Sequence, residues 1–360
     1  MKVAMLVPGL SRHDAVSNDA RGMAAAMRRD GHDVVMFALH ARGVDDEVRD
    51  PQSISSWLAS PQDMLVYHYC VGWDLAYEVV ARSHAKRVVR YHNITPPEFF
   101  RDWSESYVAA CEQGRAQIDA FARLACDLYL GDSPFNIEDF TSRGVSPASC
   151  DVLPPFHEIE QLCSLEPEAR RLPRGAPLLL TVGRLAPNKG HMELLDALAA
   201  CVRAGAGEAH LLIIGKLDPN LASYGEALLR RIQHLGLQSR VTILQDANGS
   251  ELRAAFERAT AFVMPSMHEG FCVPLVEAMA LGTPIVALGS SAIPWTIGGA
   301  GLVWEAPDPE VFAASVTRLM RDVELREILR SRGRERYAST FATSVLEEGL
   351  RSTMRRVAQP

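Results

Sequence analysis

Short apolar runs recur along the chain, separated by stretches whose apolar positions fall three or four residues apart. KVAMLV (2–7), HDVVMFAL (32–39), DMLVYHY (63–69), KRVVRYH (86–92) and CDLYLG (126–131) are rich in Val, Leu, Met and Tyr. Runs of this length with little polar alternation suit strands buried on both faces, as in a parallel sheet. Between them, residues 18–30 (NDARGMAAAMRRD) and 104–124 carry helical spacing, the first with Asn18 as its expected cap and Gly31 as its stop. Residues 154–176, dense in proline and charge, break the rhythm and predict a linker. The alternation then restarts. LLLTVG, HLLIIG, RVTIL, AFVMP and PIVAL read as strands, and 189–205, 222–236, 249–259 and 274–282 as helices. From Asp308 onward the pattern is helical and charged. Strands alternating with helices twice over predict two doubly wound α/β domains, each with its ligand edge at the carboxyl ends of its strands.

Composition narrows the function. The chain has 360 residues, 48% hydrophobic, which fits two domains with substantial cores. No 18-residue apolar stretch escapes charge, proline or glycine, so none reads as a membrane span. The opening run reads as a first strand and not as a signal peptide. Seven scattered cysteines without a C-x-x-C pair point to reduced thiols in the cytoplasm, not to zinc or a disulfide framework. The formal net charge of −7 disfavours nucleic acid as a partner. The charge is uneven: residues 1–170 carry 16 Lys and Arg against 25 Asp and Glu, the remainder 21 against 19. An anionic ligand is expected on the second half, where repulsion is least.

Two stretches carry candidate chemistry. In SMHEGFCVPLVEAM (266–279), Pro274 fits the first position of a helix, which leaves Glu269 in a loop and Glu277 in the first helical turn. Unpaired N–H groups at that helix start, beside Gly270, make an anion site flanked by carboxylates that accept from hydroxyls. A phosphate-bearing, hydroxyl-rich ligand such as a sugar nucleotide answers both features. The alternative is that Glu277 only complements its helix dipole and Glu269 is a solvated loop residue. In TVGRLAPNKGH (181–191), Arg184 and Lys189 follow a strand ending at Gly183, and two cations there suit a diphosphate. Solvated surface cations are the alternative. Neither GLSRHD nor GRLAPNKG supplies the G-x-G-x-x-G of a dinucleotide oxidoreductase.

Taken together, G-R-x4-K-G followed by H-E-G-F and E-x7-E resembles the family-4 retaining glycosyltransferases. GHDVVMF, GDSPFN and SAIPWTIGGAGL extend the likeness over nearly the whole chain, and YHNITPPEFF is most like members that assemble bacterial polysaccharides or glycoconjugates. The resemblance implies the GT-B fold: two facing Rossmann-like, doubly wound parallel-sheet domains. It implies an acceptor-side domain over 1–160, a nucleotide-sugar domain over 161–345 and a helix over 346–360 returning to the first domain. It implies transfer of a hexose, with mannose the expected sugar, from a GDP- or UDP-sugar to a glycan or lipid-linked hydroxyl. By position it makes Arg184 and Lys189 the cations of the donor diphosphate. Glu269 becomes the carboxylate facing the sugar, Glu277 the one on the ribose, and His92 the first-domain residue at the reaction centre. Gly9, Gly183, Gly270, Phe271, Cys272 and Val273 complete the expected donor contacts. No metal or other cofactor is expected, since D-x-D is absent and protein cations take its place. The expected location is cytoplasmic, at the inner face of the membrane, with weak peripheral contact. A non-catalytic sugar-nucleotide-binding subunit and a GT-B nucleotide-sugar epimerase are the alternatives. The chain departs from the family in its 9–19 loop, which lacks Gly-Gly, at Cys272, where Gly is common, and at Trp295, where an acidic or small residue is expected.

Overall fold

The computed structural model describes residues 1–12, 14–174, 177–205 and 209–358. It divides into two units: Met1–Pro97 with Val108–Glu158 and the stretch from Ala342, and Glu98–Tyr107 with Ile159–Phe341. Each is built on an all-parallel sheet.

In the first unit the strands lie in the order Val48–Arg49, Asp33–Ala38, Lys2–Val7, Met64–Tyr69, Lys86–Tyr91, Leu128–Gly131, Cys150–Val152. Every residue of Val3–Val7 is fully buried, which explains why the run has no polar alternation. The helix Ala15–Arg29 starts earlier than its spacing suggests. Its cap is Asp14, whose carboxylate accepts the Ser17 N–H at 2.8 Å, and Asn18 lies inside the first turn. Asp14 takes the cap because it is an equally good acceptor placed where the chain leaves the loop. The last helix, Thr343–Ala358, begins three residues before the expected boundary and buries Leu346, Leu350, Met354 and Val357 in this unit's core.

The second sheet runs Val241–Leu244, His210–Ile214, Leu178–Val182, Ala261–Met264, Ile285–Leu288, Gly301–Trp304. Successive residues face opposite layers. Leu179, Leu211, Val263 and Val286 pack with Leu194 and Leu198 of helix His191–Arg203, while Leu180, Leu212, Phe262 and Ile285 pack with Leu275 and Met279 of helix Val273–Leu281. Pro274 is the second residue of that helix, not the first; its missing N–H would lack an intrahelical partner at either position.

The segment Glu98–Tyr107, read from sequence as part of the first domain, groups with the second unit. Trp103 meets Tyr224 edge-on at 5.1 Å, and the Tyr107 hydroxyl is 3.0 Å from Asp218. Aromatic anchors of this kind leave no local periodicity to read. Among the described residues no helix is long and apolar enough to cross a membrane.

Candidate functional site

In each sheet the first strand sits inside, and the strand order reverses beside it. Ligands of open α/β sheets bind at that switch, beyond the carboxyl ends of the two strands that flank it. In the second unit those strands are Leu178–Val182 and Ala261–Met264. The loops that follow them are the two motif stretches, 183–190 and 265–272.

The loops are fastened to each other. Lys189 Nζ lies 2.7 Å from Glu269 Oε1, an ion pair whose side chains are 18% and 9% exposed. Asn188 staples the same junction: its carbonyl accepts from the Met267 N–H at 2.9 Å and the Ser266 hydroxyl at 3.0 Å, and its amide donates to the His268 carbonyl at 3.2 Å. Gly190, at φ 69°, is required here, because a Cβ would fall 2.2 Å from the Pro265 carbonyl oxygen. Arg184 is exposed and has no hydrogen-bond or ion-pair partner among the described residues. Gly183, at φ 154°, joins it to the strand.

A third segment holds the loop Glu269–Cys272 from behind. The Glu269 N–H donates to Ser291 Oγ at 2.7 Å, and the buried Thr296 hydroxyl donates to the Phe271 carbonyl at 2.7 Å. Trp295 stands 6.3 Å from the Phe271 ring and edge-on to Phe341 at 6.4 Å. The Arg336 guanidinium lies over both Trp295 and Phe341, at 5.9 and 5.2 Å, and donates to the Trp295 carbonyl at 2.9 Å. An acidic or small residue at 295 could not close this stack, which gives the departure its physical reason. Cys272 caps the next helix at φ 77°, and burial pushes its thiol well up. It is therefore a packed residue and not a nucleophile.

The helices His191–Arg203 and Val273–Leu281 both start at this junction, and neither has a side-chain cap. Their first N–H groups, with the positive dipole end, can receive an anion. Val273 opens the second of these helices, and Gly270 and Phe271 precede it. Glu277 is partly buried in the same helix, and burial raises its carboxyl to about 7.

The structure brings Gly183, Lys189, Glu269, Gly270, Phe271, Cys272 and Val273 to one junction, with Arg184 beside it. Gly9 and His92 belong to the first unit. Gly9 follows the central strand Lys2–Val7, where a Cβ would fall 2.5 Å from His40 Nε2. His92 follows Lys86–Tyr91, with its side chain 5% exposed. Sequence reasoning missed Asn188, Ser291 and Thr296. Asn188 stands inside the quoted motif, whereas Ser291 and Thr296 act on residues more than 20 positions away and leave no local signal. Among the described residues, Asp19, His68 and His92 bring metal-type ligand atoms within 4.8 Å of one another. Arg90 holds the same Asp19 oxygen at 2.9 Å and the nearest nitrogens of the two imidazoles lie 3.0 Å apart, so hydrogen bonds account for the arrangement.

Residues 165–336 match the family described as Glycosyl transferases group 1. That matched stretch lies within the second unit. A D-inositol 3-phosphate glycosyltransferase of Frankia alni is 30% identical over 223 residues, 59% of this chain and 54% of that protein. The chain thus spans about half the length of the curated relatives it matches. Among solved structures, the sucrose-phosphate synthase of Thermosynechococcus elongatus superposes with a TM-score of 0.77 at 20% identity, covering 99% of this chain and 98% of that one. Anabaena HepE in complex with UDP and glucose gives 0.78 at 18% identity, covering 99% of both. The two Rossmann-like units have the GT-B fold.

Within the second unit, Thr296→Val leaves the buried Phe271 carbonyl without its donor. It is expected to destabilise the unit by about 1–3 kcal/mol, with Thr296→Ser restoring most of the loss. Urea unfolding checks this; equal midpoints for Val and wild type would contradict it.

Proposed function

We propose that the chain is a retaining hexosyltransferase. It moves a hexose from a nucleotide-diphosphate sugar to a hydroxyl of a glycan or lipid-linked acceptor. The observation that carries this reading is the pairing of Lys189 with Glu269 at the switch point, between two uncapped helix starts. A diphosphate needs cations and N–H donors, and a sugar needs carboxylate acceptors. Both sets converge there, and a ligand carrying both groups uses all of them.

In this reading Arg184 and Lys189 hold the diphosphate. When the bond to the anomeric carbon breaks, its electron pair goes to the phosphate oxygen, and the two cations stabilise that growing charge. Preorganised stabilisation of this kind usually contributes more to catalysis than any other single effect. Glu269 accepts hydroxyls of the sugar, and Glu277 accepts those of the ribose. The main-chain groups of Gly270–Val273 lie along the phosphate. Retention of configuration, and His92 as the first unit's reaction-centre residue, follow from the sequence resemblance. The neighbour bound to UDP and glucose supports the donor class, and the relative named for inositol 3-phosphate supports a hydroxyl acceptor.

Screening UDP- and GDP-hexoses by thermal shift should find one that stabilises the protein. With that donor, Arg184→Ala, Lys189→Ala and Glu269→Ala should each lower turnover about 10²-fold or more while the circular dichroism spectrum is kept. Near-normal turnover in all three would sink the assignment.

Glu277 gives a pH signature. Its folded carboxyl titrates at about 7, above its ordinary 4.5, so burial favours the protonated form. The stability this provides is present below the ordinary value and lost as pH rises through about 7. Ribose hydroxyls donating to the carboxylate favour the ionised form instead. Nucleotide affinity should therefore rise as pH passes from 6 to 8, with release of a proton, and Glu277→Gln should flatten the dependence. Calorimetry in buffers of different ionisation enthalpy reads both. A wild-type affinity that falls over that range contradicts the ribose role.

A further inference from the structure

The first unit buries a cluster of five ionisable side chains, four of which have no part in the donor chemistry above. Asp19 comes from helix Ala15–Arg29 and His68 from strand Met64–Tyr69. Arg90 comes from strand Lys86–Tyr91, with His92 just beyond it, and Asp132 follows strand Leu128–Gly131. Asp19, His68 and Arg90 are fully buried, and the side chains of His92 and Asp132 are 5% and 7% exposed.

Arg90 anchors the cluster. Its Nε donates to Asp19 Oδ2 at 2.9 Å and its Nη2 lies 2.8 Å from Asp132 Oδ1. Its Nη1 donates to the carbonyls of Gly131 and Leu153, at 3.1 and 2.7 Å. Asp19 also accepts the Phe156 N–H at 2.7 Å. Burial pushes the Asp19 carboxyl up, but the charge and hydrogen bond of Arg90 outweigh it and hold the group below its usual range. Asp19 is thus fixed in place as an acceptor, and Asp132 is held beside it by its ion pair to the same guanidinium.

His92 lies between these fixed points. Its Nδ1 is 3.0 Å from Asp132 Oδ2, and its Nε2 is 3.0 Å from His68 Nδ1. The imidazole planes differ by 13° with centroids 5.2 Å apart. Rings that close to coplanar, with nearest nitrogens at 3.0 Å, meet end to end. This is the geometry of an in-plane N–H···N bond and not of a face-to-face stack. A carboxylate only accepts, so Nδ1 of His92 carries a proton. Nε2 then faces His68, whose imidazole burial pushes down to about 3 and keeps neutral. Asp19 Oδ2 stands 3.7 Å from His92 Nε2 and 3.6 Å from His68 Nδ1.

We propose that His68 and Asp132 are positioning residues that hold both ring nitrogens of His92, so that His92 presents a fixed ring and does not act as a general base. A general base needs a lone pair within reach of the substrate proton. This imidazole has both nitrogens turned into the unit. The role given to His92 in the reaction rests on the transferase reading; the clamp itself does not.

The test is nitrogen-15 NMR of the full chain, labelled at histidine, without ligand. The expected spectrum shows His92 with Nδ1 protonated and Nε2 hydrogen-bonded to His68. Asp132→Asn and His68→Leu should each shift the His92 nitrogen signals, and His68→Asn, which keeps an N–H where Nδ1 stood, should bring them back towards wild type. A His92 with its proton on Nε2 alone and a free Nδ1 overturns the proposal. So do variants that fold yet leave its signals unchanged. One divalent cation per purified chain by metal analysis would also overturn it, since the three facing atoms would then be ligands. If the variants do not fold, the wild-type tautomer still decides. No sugar donor is needed, so failure here is distinguishable from failure of the transferase reading.

Discussion

The ion pair between Lys189 and Glu269 joins two loops whose residues are 80 positions apart, and the candidate site depends on it. Each loop leaves one of the two strands that flank the reversal of strand order, so the sheet topology alone brings them side by side. Topology does not set their distance. Asn188 and Gly190 do that, one by hydrogen bonds and one by lacking a side chain where the Pro265 carbonyl passes. Removing one member of a well-buried pair costs about 3–5 kcal/mol, because the other charge is left uncompensated. Both charges here are mostly covered yet face a site that suits anionic and hydroxylic groups. In the proposed function a donor offers the lysine a phosphate and the glutamate hydroxyls, so each side chain would exchange one polar partner for another without being left bare.

Much of this was legible in the sequence, for physical reasons. Strands buried on both faces must be continuous apolar runs, and those runs marked the sheet strands flanking each switch. One helix start followed from Pro274, within one residue of where the helix begins. The motif residues were readable because a strand end, a loop and a helix start are local events. What escaped was non-local. Thr296 matters because it donates to the Phe271 carbonyl, and Trp295 because it closes a stack with Phe271, Phe341 and Arg336. Neither partner is near in sequence. Asp14 and Asn18 are both good cap acceptors, and only the path of the chain chooses Asp14. Residues 98–107 lie in the chain between two stretches of the first unit, while their aromatic side chains pack in the second unit.

The two units use buried charge differently. In the first, Arg90 and two carboxylates are closed among backbone carbonyls and imidazoles, where a missing partner would be costly and the arrangement is consequently rigid. In the second, the ionisable groups at the switch point keep part of their surface open: Arg184 is exposed, Lys189 is 18% exposed, and Glu277 is lifted towards neutrality by burial alone. Groups left in that condition can respond to a ligand, whereas the closed cluster can only hold its shape.

The central claim is that Lys189 and Glu269 act on the donor as one preorganised unit. A double-mutant cycle with Lys189→Met, Glu269→Gln and the double variant, read as the binding free energy of UDP-glucose or whichever nucleotide sugar stabilises the protein, tests it most directly. The account predicts strong non-additivity: either single change removes most of the affinity, and the double variant loses little more, giving a coupling of about 1–3 kcal/mol. Additive losses, or single variants that bind as tightly as wild type, would contradict it.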